Sequence, residues 1–158
     1  MSKKYKIILV ANLILVLAFF AFSVVQKEML IGKGTEILLR LVPVDPRSMM
    51  QGDYMALNYE IFRKIDYRSE SGYIVVKVGS DRVAEFVRVQ NGTDVNNGEL
   101  LIRYKRESGR LSVGADNYFF QEGSAPKFEK AKYGLLKVDA EGNSILVGLC
   151  NDDGQLIK

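Results

Sequence analysis

Histidine is missing altogether from this chain of 158 residues, and cysteine occurs once. Without histidine the chain lacks the commonest general base and the commonest metal ligand. A Ser-His-Asp or Cys-His centre is therefore excluded within it, as is a His-liganded zinc site. Cys150 has no second cysteine to pair with, so an intrachain disulfide is excluded too. It reads as a small buried hydrophobe near a strand end. A free reactive thiol or an intermolecular bridge is the alternative. What remains calls for no cofactor and no metal.

Acidic residues are missing from the first 27 positions. Lys3, Lys4 and Lys6 account for the whole net charge of +3, because beyond them 19 basic residues face 19 acids. A neutral body with interspersed charges lacks the basic face that nucleic acid requires. It also lacks a strong polybasic clamp for anionic lipid.

Charge of either sign is absent from Ile7 to Val25, where only Asn12 and Ser23 are polar. About 20 apolar residues are enough for a helix to cross a bilayer core. The segment has no polar face to mark it as a surface helix. The basic flank predicts a single-pass anchor in the inner (cytoplasmic) membrane, with its N-terminus in the cytoplasm and the remainder periplasmic. A cleaved signal peptide is the competing reading, with Ala21-Phe22-Ser23 as the cleavage site. Continuation of the apolar run through Val24 and Val25 favours the anchor, and no cysteine follows for lipoprotein processing. The expected organisation is a basic flank and transmembrane anchor over 1–26, a connector over 27–34 and an extracytoplasmic domain over 35–158. The last is long enough for one core.

Beyond the anchor the hydrophobic period is mostly two, the signature of strands. Glu36–Val44 is strongly apolar and ends at Pro43 and Pro46. Asp53–Phe62 alternates, with Met55, Leu57, Tyr59 and Ile61 on one face. Tyr73–Val78 and Val83–Val89 flank Gly79–Arg82, and Gly134–Asp139 and Ser144–Leu149 flank Ala140–Asn143, which predicts two hairpins. Glu99–Arg106, Leu111–Val113 and Tyr118–Phe120 read as further strands. Ala125–Lys132 is the one helical candidate of the domain, with Ser124 as its cap and Pro126 early. The expected fold is mainly β: an N-terminal transmembrane helix, then an antiparallel sandwich or partly open barrel with one short helix.

The most specific segment is Gly52-Asp53-Tyr54-Met55-Ala56-Leu57-Asn58-Tyr59, which fits G-D-Y-x-x-L-x-Y at every fixed position. With it the chain resembles the GDYXXLXY family of bacterial membrane-anchored proteins. Val44-Asp45-Pro46-Arg47, Phe120-Gln121-Glu122-Gly123 and Ala131-Lys132-Tyr133-Gly134 extend the resemblance across the exported domain. The resemblance implies no activity. Members tend to be encoded beside multi-pass membrane proteins, which implies a shared complex.

Read physically, Gly52 suits a turn and Asp53 can accept backbone N–H bonds there. Leu57 and Tyr59 face inward, and Tyr54 is presented outward or to a second layer. A structural reading of the motif stands beside a functional one. In the latter Asp45, Arg47, Gly52, Asp53, Tyr54, Leu57 and Tyr59 form a recognition patch at one end of the sheet, with Glu122 and Gly123 as secondary candidates.

Ser48-Met49 followed by Gly52-Asp53 faintly resembles type I signal peptidases, in which a Ser-Met pair carries the nucleophile and a later lysine is the base. Such a dyad needs no histidine, and Lys77 in the apolar Tyr73–Val78 strand is its candidate. The spacing departs from that pattern, since only Met50-Gln51 intervenes and the later boxes are missing. The expected function is a non-enzymatic, membrane-anchored binding or scaffold module accessory to an integral, multi-pass membrane protein. A binder of a small ligand or an envelope polymer is the alternative.

Overall fold

The computed structural model describes residues 3–42, 50–51, 54–66, 69–121 and 123–157. Helix α1 covers Lys3–Lys33, 31 residues without a break. It does not stop where the apolar run stops. Gln26, Lys27, Glu28, Met29 and Leu30 are all good helix formers and carry it on. Leu30, the residue of α1 that is buried, packs at 5% exposure where the helix meets the β domain. Lys33 in the last turn complements the negative end of the helix dipole. The stretch read as a connector is therefore helical. The chain then turns at Gly34, whose N–H donates to the Leu30 carbonyl at 2.9 Å. A Cβ on Gly34 would lie 3.0 Å from the Lys137 Cβ, so the approach needs glycine.

Three small antiparallel sheets follow, none of them closed. The first orders β1 (Thr35–Arg40), β9 (Tyr133–Val138) and β10 (Ser144–Cys150) as β1-β9-β10. The second is β2 (Met50–Gln51), β3 (Tyr54–Ala56) and β8 (Asn117–Phe119). The third orders β4 (Ser71–Val78), β5 (Ala84–Gln90), β6 (Glu99–Glu107) and β7 (Arg110–Ser112) as β5-β4-β6-β7. Both predicted hairpins are present, β4–β5 and β9–β10. The mainly antiparallel β fold read from the period-two pattern is thus the observed one.

The sheets enclose one main core built around Ile37, Leu39, Tyr59, Ile74, Ile102 and Leu136. Strand β1 has three consecutive buried residues, Ile37, Leu38 and Leu39, because its sheet is covered on both faces. Leu38 turns away from the main core into a second cluster with Tyr133, Leu135 and Cys150. Burial there pushes the Cys150 thiol up, so the thiolate is disfavoured and the residue serves as packing.

Within the β domain two elements differ from the sequence expectation. The Asp53–Phe62 alternation forms a ladder only over Tyr54–Ala56. The Leu57 N–H is taken by the Asp116 carbonyl at 2.7 Å, and a 3₁₀ turn over Glu60–Lys64 follows. The alternating face is nevertheless buried, with Met55, Leu57, Tyr59 and Ile61 all in the core. The helix read over Ala125–Lys132 is a single turn, α2 (Ala125–Phe128). The Lys132 N–H pairs with the Cys150 carbonyl of β10 at 2.8 Å, so sheet pairing wins over helix extension. Ser124 has helical backbone angles and makes no side-chain cap bond. Phe128 instead pins α2, with its ring 5.0 Å from Tyr118 and 5.4 Å from Phe120.

The first and third sheets are joined at a glycine. The Gly142 carbonyl in the β9–β10 turn accepts from the Arg103 N–H of β6 at 2.8 Å. Gly142 has φ +82°, and a Cβ there would lie 3.1 Å from the Arg103 nitrogen and 3.2 Å from the Leu101 Cβ. Gly109 has nearly the same φ, +81°, but open space around it. Gly109→Ala should cost about 1–2 kcal/mol, the penalty of a left-handed L-residue alone. Gly142→Ala adds a backbone clash and should cost about 2–4 kcal/mol. Urea midpoints followed by circular dichroism will separate the two.

One ion pair ties β5 to β6. The Arg88 guanidinium donates through both terminal nitrogens to the Glu99 carboxylate, at 2.8 and 2.9 Å. The Asn96 N–H donates to the same carboxylate at 2.9 Å. Arg88 first, then Asn96, hold the Glu99 carboxyl down at about 2. Unfolded, a glutamate titrates near about 4.3. Glu99 therefore contributes stability above that pH and loses the contribution as pH falls toward 2. Glu99→Gln should flatten the acid limb of the stability profile between about pH 5 and pH 2, measured as urea midpoint against pH.

Candidate interaction surface

The signature segment divides into a buried half and an outward half. Its last residue, Tyr59, is 0% exposed. The Tyr59 hydroxyl donates to the Ala115 carbonyl at 2.5 Å. Burial, with the Asp116 carboxylate adding to it, pushes the phenol far above its usual range, so it remains a donor. A Cβ on Gly134 would lie 3.0 Å from the Tyr59 ring, so this glycine of β9 makes room for the tyrosine. Phe62 closes the other side edge-on, with ring centroids 5.7 Å apart.

The loop that receives Tyr59 is itself tied down. Ser112 donates to the Asp116 carboxylate, the Gly114 N–H donates to the Ser112 hydroxyl at 3.0 Å, and the Ser144 hydroxyl donates to the Val113 carbonyl at 2.5 Å. These bonds brace the loop after β7 and tie it to the start of β10. Leu57, buried beside them, is held by the same loop through its N–H.

This scaffold presents the outward half. Tyr54 of β3 lies directly opposite Phe119 of β8, and the rings pack with centroids 5.7 Å apart. Tyr54 is half-buried, whereas Phe119 is 74% exposed, the most exposed large hydrophobic side chain of the described β domain. An aromatic this exposed gains little from folding, and aromatic anchors are typical of interface centres. A groove of about 400 Å³ runs beside Phe119, lined by Lys105, Glu107, Asp116, Asn117, Ile145 and Leu146. A second groove, of about 780 Å³, lies where α1 meets the β9–β10 turn. Tyr54 lines neither of them.

Of the sequence candidates, Tyr54 belongs to this surface, while Leu57 and Tyr59 support it from beneath. Asp45, Arg47, Ser48, Gly52, Asp53 and Glu122 lie outside the described residues. Gly123 has φ +79° with open space around it, as a turn residue before α2. Lys77 is exposed on β4, opposite Glu85 and Glu99. The burial that would activate it as a base is missing. Among the described residues no group of three or more His, Cys, Asp and Glu is placed to hold a metal. Sequence reasoning missed Phe119 as a surface residue and Gly134 as the partner of Tyr59. The first had a visible signal in the period-two pattern, because Tyr118 and Phe120 share the opposite face.

The family profile of the GDYXXLXY protein matches residues 16–149, from within α1 to Leu149 of β10. The chain belongs to this family. No curated protein and no solved structure matches it.

The two halves of the motif should separate by mutation. Tyr59→Phe leaves the buried Ala115 carbonyl without its donor and should cost about 1–3 kcal/mol. Phe119→Ala removes an exposed ring and should stay within about 0.5 kcal/mol of the parent. Urea midpoints of the two variants test the division.

Proposed function

We propose that this chain is a single-pass protein of the inner membrane whose extracytoplasmic β domain binds and supports a multi-pass membrane protein through the Tyr54–Phe119 surface. Helix α1 is long and apolar enough to cross a membrane, and none of its most apolar window is buried. Every large apolar side chain from Ile7 to Val25 is at least 40% exposed. Leaving that surface in water forgoes on the order of tens of kcal/mol, at roughly 1.5–3 kcal/mol for each large side chain. Lipid removes the penalty.

The first turn of α1 carries lysines and no acid, the wrong sign for the helix dipole, at a cost of about 0.3–1 kcal/mol per charge. Retaining a basic flank in that position favours the positive-inside orientation, which puts the β domain outside.

The observation that carries the binding role is Phe119, an apolar ring held out from a rigid scaffold with Tyr54 beneath it. A flat aromatic surface suits a protein partner better than a solute, which needs enclosure. The groove beside Phe119 favours a second reading, a small-ligand or envelope-polymer binder. Its volume of about 400 Å³ falls within the usual range for small-molecule sites of about 300–1,000 Å³.

Purification of the full chain from gentle detergent distinguishes the two. The parent should bring a multi-pass membrane protein with it. Phe119→Ala and Tyr54→Ala should each lower recovery of that protein more than tenfold, the scale of an interface anchor. A parent chain that always elutes alone sinks the partner reading.

A further inference from the structure

Ser23 and Asn12 are the two polar residues of the apolar run, and they are treated differently. The Ser23 hydroxyl donates to the Phe19 carbonyl of its own helix at 3.0 Å. The Asn12 amide makes no hydrogen bond among the described residues. It is too short to reach a headgroup from five residues inside the run, and in hydrocarbon an unpaired amide is costly. Interhelical hydrogen bonding is the usual remedy.

The position of Asn12 around the helix restricts what can meet it. Leu30 lies eighteen residues further on, about five whole turns at 3.6 residues per turn. Asn12 and Leu30 therefore project from the same side of α1, with Phe19 and Ser23 close to the line between them. Leu30 is buried where the helix meets the β domain, and it lines the groove of about 780 Å³ together with Leu100 and Val138. The unpaired amide thus points along the membrane beneath the domain. The groove sits at the extracytoplasmic end of the same line.

We propose that a membrane-spanning helix of a different protein packs along the Asn12–Phe19–Ser23 line, with a hydroxyl or amide opposite Asn12 and its extracytoplasmic end in the groove at Leu30. A second copy of this chain does not fit. In a parallel pair packed through this line, each β domain would lie on the side of its helix that its partner's domain also occupies. The inference rests on the membrane-spanning reading of α1 and is independent of the Tyr54–Phe119 surface.

The test places a photo-crosslinking benzophenone residue in the full chain in native membranes, at Val16 or Phe19 on the Asn12 side and at Ile14 or Ala21 on the opposite side. Adducts with one multi-pass membrane protein should form at least fivefold more from 16 and 19 than from 14 and 21. Asn12→Leu should reduce them at least fivefold, and Asn12→Gln should restore them. Equal yields on both sides, an adduct with the mass of two copies, or indifference to Asn12→Leu would each overturn the proposal. Phe119→Ala distinguishes the two readings. If it leaves co-purification intact while the one-sided adducts persist, the surface reading fails and the helix contact stands.

Discussion

A single phenol links the three sheets. Tyr59 leaves the chain just after β3, passes under Gly134 of β9 and ends on the Ala115 carbonyl between β7 and β8. The ring fills the main core, and the hydroxyl satisfies a carbonyl that would otherwise be buried unpaired. Apolar area and hydrogen bonding thus act at one position, and a phenylalanine could supply only the first. The loop it reaches is braced independently by Ser112, Asp116 and Ser144. The rigidity of the exposed aromatic pair therefore derives from the buried end of the same motif.

Much of this was legible in the residues. The apolar pattern located every described strand except the two-residue β2. It also assigned Met55, Leu57, Tyr59 and Ile61 to the core even where the ladder itself gave out. That face stayed correct because burial depends on which way a side chain points, whatever the backbone pairs with. The misread elements were decided by contacts distant in sequence. The Lys132 N–H could extend a helix or join β10, and no local feature says that the Cys150 carbonyl is waiting. The helix end was misjudged for a similar reason. Hydropathy marks where lipid would stop, near Val25. Helicity continues further because Leu30 has a protein surface to pack against, and hydropathy carries no trace of that surface.

The candidate surface was half visible. Tyr54 was correctly turned outward by its parity with Tyr59, since five residues separate them. Its neighbour Phe119 comes from a strand far along the chain, and only the register of β3 against β8 brings the rings together. Gly134 stood in the Ala131–Gly134 run without a reason attached to it. The reason is spatial, a tyrosine ring where its side chain would be.

Because α1 enters the β domain as one stiff rod, the domain has little freedom to wander. The helical residues from Gln26 to Lys33 span about 12 Å at 1.5 Å per residue, and Leu30 among them packs directly on the domain. A domain on a floppy tether explores a hemisphere of solvent above its anchor. This one, joined to an unbroken helix that packs on it through Leu30, turns only as its helix turns. With α1 in a bilayer, as proposed, diffusion in that plane would become its chief means of search.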